Sequence, residues 1–139
     1  MNAQLATKEA PSSRFVDNGD GTVTDTAAGL MWTKATIARD KNHEQAIAAV
    51  KDLDVAGHKD WRLPTVEELF LLADRSRKLP AIDTDAFPDT ANDWYWTSTD
   101  SAWGASCAWV VDFNDGSAGS GRRYDGACVR AVRSVPAGQ

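Results

Sequence analysis

Asp60-Trp61-Arg62-Leu63-Pro64-Thr65-Val66-Glu67-Glu68-Leu69 is the stretch that decides the fold. Its first half is extended, because a residue that precedes proline is pushed out of the helical region. Its second half opens a helix. Thr65 with Glu68 three residues on forms a capping box, in which the hydroxyl accepts from the backbone at Glu68 and the carboxylate reaches back. The spacing predicts a helix from Val66 to Ala73 or Asp74, with Val66, Leu69, Phe70 and Ala73 as its buried stripe. Glu67 and Glu68 are neighbours on that helix and point about 100° apart. They therefore read as capping and solvated groups, not as a catalytic carboxylate pair.

Upstream, Asp40 or Asn42 caps a second helical stretch that runs to about Leu53 and is closed by Gly57. Ala46, Ile47, Val50 and Leu53 fall on one face, and Glu44, Gln45, Lys51 and Asp52 on the other. His43 lies in its first turn and is expected to face solvent. Further back, Phe15-Val16-Asp17 and Thr22-Val23-Thr24-Asp25 flank the turn Asn18-Gly19-Asp20-Gly21, which predicts a hairpin. Leu30-Met31-Trp32 follows as an apolar strand. The Asp-rich turn lacks the bidentate Glu that closes a calcium loop, and its Asn and Gly residues suit a turn without any ion.

Downstream, residues 75–93 are irregular and carry the two proline pairs Leu79-Pro80 and Phe87-Pro88, as expected of an Ω-type or functional loop. Three strands follow by aromatic and β-branched content: Trp94 to Thr99, Ala108 to Phe113, and Cys128 to Arg133. Between them lie two segments of small and polar residues, Asp100 to Ser106 and Ser117 to Ala127, too poor in apolar side chains to be core. Helices and strands do not alternate, so the class is α+β with a mostly antiparallel sheet. The domain spans 14–135. Residues 1–13 read as an N-terminal arm or linker and 136–139 as a tail.

Composition excludes several functions. The 139 residues suit one domain with one real core. A net charge of −5 repels phosphate backbones, and Arg122-Arg123 is the only tight basic pair before an aromatic residue, so no nucleic-acid role is expected. No apolar run is long enough to enter a membrane, and no signal peptide is visible. The two cysteines, Cys107 and Cys128, form no C-x-x-C and have no nearby histidine, so no metal site is expected. Two small core residues or a disulfide both remain open for them. Six tryptophans is a heavy load for this length, and most of them sit in strand segments, where core packing explains them.

Taken together, Phe15 to Asp25, Gly29-Leu30-Met31-Trp32, Asp60 to Thr65 with Glu67-Glu68-Leu69, Tyr95 to Thr99, Ala108 to Phe113 and Val129-Arg130-Ala131-Val132-Arg133 resemble, in order, the Lcl C-terminal domain family, named for a collagen-like bacterial adhesin. The resemblance covers about residues 14–134. It implies a C-type-lectin-like fold, in which two helices flank a small twisted sheet and the termini come together. It also implies an extracellular adhesive module or a phage structural protein, several relatives being trimers. No catalytic residue comes with it. The Glu-Pro-Asn, Gln-Pro-Asp and Trp-Asn-Asp motifs of calcium-dependent sugar-binding lectins are missing. No cofactor is therefore expected, with calcium the one ion the fold class leaves open. Residues 101–107 and 117–128 occupy the region that varies in lectin-like proteins diversified by retroelements.

The expectation that follows is a non-enzymatic adhesin or receptor-binding module on a phage virion or bacterial surface. It would contact a protein or glycan ligand through Ser101, Trp103, Arg122, Arg123, Tyr124 and Asp125, since Trp, Tyr and Arg dominate binding hot spots and loops on a rigid scaffold carry them. A homo-oligomer, a trimer by the resemblance, or a larger assembly is the expected state. Two alternatives stand beside it. One is a structural virion protein (fibre, tail or capsid decoration) whose faces contact other subunits. The other is an oxidase of the formylglycine-generating type, which would need Cys107 and Cys128 as a metal-binding pair.

Overall fold

The computed structural model describes residues 14–135; the expected arm and tail lie outside them. In chain order the elements are β1 (Phe15–Asp17), β2 (Thr22–Asp25), β3 (Leu30–Thr33), β4 (Ala38–Lys41), α1 (His43–Lys51), α2 (Val66–Leu72), β5 (Trp94–Asp100), β6 (Cys107–Asp112), β7 (Ser117–Arg122), β8 (Ala127–Val129) and β9 (Val132–Ser134). They form the expected α+β arrangement, but as two sheets: a four-stranded one in the order β1-β2-β3-β9 and a five-stranded one in the order β4-β8-β5-β6-β7. All pairings are antiparallel except β5 with β8. The first and last strands share the smaller sheet. No described helix is long and apolar enough to cross a membrane.

The five-stranded sheet is buried on both faces, and strand alternation decides which side chain serves which core. Tyr95, Val111 and Phe113 point to a cluster with Val23, Trp32, Leu69, Leu72, Ile82 and Phe87. Trp96, Ala108, Val110 and Val129 point to a second cluster with Ala46, Val50, Trp61 and Leu63. The irregular stretch between α2 and β5 is no bare loop: it inserts Ile82 and Phe87, each fully buried, into the first cluster.

Trp61-Arg62-Leu63 is extended as expected. Trp61 and Leu63 enter the second core, while Arg62 turns outward. Its backbone bridges Val132, and its guanidinium grips Glu68 through two bonds of 2.7 and 2.9 Å. The expected Thr65–Glu68 capping box forms, and a second one joins Asn42, the cap of α1, with Gln45. The Glu68 carboxyl thus holds an arginine and a helix N-terminus together. Burial pushes it up, but the Arg62 bond and the Thr65 N–H outweigh that and hold it below its usual range. The hairpin turn is likewise tied by its own side chains. Asp17 accepts from Gly19 N–H and pairs with Lys34, and Asp20 accepts from Thr22.

Several expectations need correction. Ile47 is 46% exposed and Phe70 is 37% exposed, whereas Leu72 is buried at 2%. Both helices are short, nine and seven residues, so each buries only a narrow stripe. β4 stands where a helix cap at Asp40 was an option. The last strand is two strands in two sheets, broken at Arg130-Ala131. Ser117 to Arg122, read as part of a loop, is a strand paired along its whole length with β6. Trp109 is only half-buried.

Candidate functional site

β5 ends, β6 begins and β7 ends at one end of the larger sheet, and α1 starts there too. The turns at that end are residues 101–106 and 123–126. Arg123 binds them into one unit. Its backbone N–H donates to Ser106 O at 2.8 Å, and its carbonyl accepts from His43 N at 2.8 Å. Its guanidinium donates to Ala105 O at 2.9 Å, to Asp100 Oδ1 at 2.7 Å and to His43 Nδ1 at 2.8 Å. One side chain thereby braces both turns against the helix start.

His43 is buried at 4% exposure, not solvent-facing as its helix position suggested. Because a guanidinium can only donate, Nδ1 must accept from Arg123, so Nε2 carries the proton and donates to Thr97 O at 2.9 Å. The ring also stands edge-on to Trp96, with centroids 4.9 Å apart. Burial, and then the charge of Arg123, hold the imidazole below its ordinary value despite the Thr97 bond and Asp100. The neutral form is the one this site is built around.

On this frame the predicted residues divide. Trp103 is 85% exposed and Tyr124 is 67% exposed. Arg122 is exposed, ion-paired to Asp125 at 3.3 Å, and its guanidinium lies 5.3 Å from the Tyr124 ring centroid. Arg123 is an internal brace. Ser101 is buried at 7%; its hydroxyl takes the Trp103 N–H and the Ser120 hydroxyl, so it shapes the turn that carries Trp103. Sequence reasoning missed the groove beside them. It measures about 470 Å³ and is lined by Asn42, His43, Glu44 and Ile47 of α1 and its cap, with Ser106, Arg123 and Tyr124. Ile47, expected on the buried stripe, is instead exposed and lines this groove.

Among the described residues no three His, Cys, Asp or Glu side chains cluster as metal ligands would. Cys107 and Cys128 are free thiols. Cys128 faces Tyr95, which faces Val111, four residues along β6 from Cys107. That separates them by roughly 13 Å along the strand alone, beyond the reach of a disulfide. Burial, then Asp93, pushes the Cys128 thiol up to about 11.

Fold and site together define a small α+β domain that offers a braced pair of aromatic-bearing turns at one end of an antiparallel sheet. The chain belongs to the Lcl C-terminal domain family, whose model matches residues 21–133. No curated protein matches it. Family membership suggests an adhesin-like or surface-associated module.

Proposed function

We propose that this chain is a non-enzymatic recognition module of C-type-lectin-like fold. It acts as an adhesin or receptor-binding domain on a phage virion or bacterial surface and takes a protein or glycan ligand without a cofactor. Two helices on antiparallel sheets, with the first and last strands in one sheet, suit that fold. The observation that carries the binding role is the exposure of Trp103 and Tyr124 on turns that Arg123 holds rigid. Leaving large aromatic rings in water costs solubility and gains nothing for the core, whereas a preorganised aromatic contact adds affinity at low entropic cost.

The test is direct. Labelled chain is titrated onto intact bacterial cells of a strain panel. Trp103→Ala and Tyr124→Ala should each lower binding at least tenfold, with the urea midpoint unchanged and calcium without effect. Wild-type binding that survives both substitutions would remove the assignment.

A further inference from the structure

The four sheet edges of this domain are not treated alike. An open edge invites another strand, and proteins guard such edges with short strands, charges, bulges or cover. β1 has three residues and ends on Asp17, tied to Lys34. β9 has three residues, and Arg62 bridges its free side. β4 carries Arg39, Asp40 and Lys41, breaks its register, and twists at Asp40 to a φ of 53°.

Among the described residues β7 is the least guarded of the four edges: its one charge is the last residue, Arg122, tied to Asp125. Its six residues pair with β6 without a register shift. Ser117-Ala118-Gly119-Ser120-Gly121 is uncharged, and every side chain in it is small. Among the described residues no other strand pairs with its outer side, and the one backbone bond it takes from outside β6 is the turn bond from Asp125 N–H to Arg122 O.

We propose that β7 is an interface for a second copy of this chain, which adds its own β7 antiparallel and joins the two sheets into one of ten strands. Charge selects this partner. The strand runs from an exposed acid, Asp115, in the turn before it to an exposed base, Arg122, at its end. Antiparallel pairing about Gly119 sets Arg122 of each copy opposite Gly116 of the other, beside that copy's Asp115. The charges match twice over. Ala118 then faces Ser120, and Ser117 faces Gly121, so no side chain obstructs the approach. The second chain also comes alongside Trp94, 38% exposed and packed on Gly121, and half-buried Trp109 on the opposite face. The Trp103 and Tyr124 ends point to opposite ends of the joined sheet, so the pair bridges ligands.

Sedimentation equilibrium of the full chain should show a monomer–dimer equilibrium that weakens as salt screens the two ion pairs. Gly119 has open space where a side chain would stand. Gly119→Glu should therefore keep the native near-ultraviolet circular dichroism yet lose the dimer, because it sets two carboxylates face to face. Gly119→Cys should cross-link on mild oxidation, whereas Ser117→Cys, facing Gly121, should not. A chain that stays monomeric at the highest soluble concentration overturns the proposal. So does an oligomer indifferent to Gly119→Glu, or cross-linking equally efficient at 117 and 119.

Discussion

At the residue scale the most informative side chains are two buried polar ones that hydrophobic patterning passes over. Arg130, 1% exposed, stands at the break between β8 and β9. Its guanidinium donates to Thr33 O at 2.6 Å, Lys34 O at 2.7 Å and the Thr90 hydroxyl at 2.9 Å, and it lies 4.9 Å from the Phe87 ring centroid. A buried cation is tolerable when most of its protons are taken up this way; here both terminal nitrogens are bonded and only Nε is left without a partner. His43 is the second. Its folded-state affinity for protons is depressed, so below the ordinary imidazole value of 6.5 the unfolded chain binds a proton that the folded chain refuses. Stability is complete above pH 6.5 and falls as acid is added down through the lower folded value. Protonation would also set imidazolium against Arg123, loosening the brace on both turns. Denaturant midpoints measured from pH 7.5 to 5 should decline. His43→Gln, which keeps one donor and one acceptor, should flatten that slope, and an unaltered slope would mean that other groups cause it.

At the element scale, the Thr65 cap was legible because a capping box is a local code, readable four residues at a time, whereas the choice of Asn42 over Asp40 came from the structure. β7 was not legible. Its residues are poor strand formers, and only the neighbouring strand makes them one: β6 supplies the hydrogen bonds, and Trp94 requires the absence of a side chain. A Cβ at Gly121 would stand 3.2 Å from Val110 Cγ1 and 3.5 Å from the Trp94 ring. Gly121→Val should therefore cost about 1–3 kcal/mol by overpacking. Gly119→Ala, on the same strand with nothing within 4 Å, should cost less than about 0.5 kcal/mol. Equal losses from the two, by urea denaturation, would show that strand propensity and not the Trp94 contact decides the glycines.

For the whole molecule, the five-stranded sheet keeps two cores apart, and the tryptophans divide accordingly. Trp32, Trp61 and Trp96 are interior, Trp109 is half-buried and lines an open surface cleft with Val66 and Phe70 of α2, and Trp103 is in water. Trp61→Ala should cost about 3–5 kcal/mol, and Trp109→Ala distinctly less, because part of its ring is already solvated. A thermal-unfolding comparison that ranks them equal would place Trp109 in the core after all. The sequence by itself determined the hairpin, the Thr65 cap, the extended Trp61-Arg62-Leu63 piece, the α+β class and the family, since each is written in contiguous residues or in their order. Only the tertiary structure decided that one sheet would be two, that His43 and Arg130 would be interior, and that Arg123 would brace turns while Trp103 and Tyr124 stayed exposed. Those outcomes depend on which groups meet across dozens of residues of chain, because burying a polar group costs least where distant partners bond it.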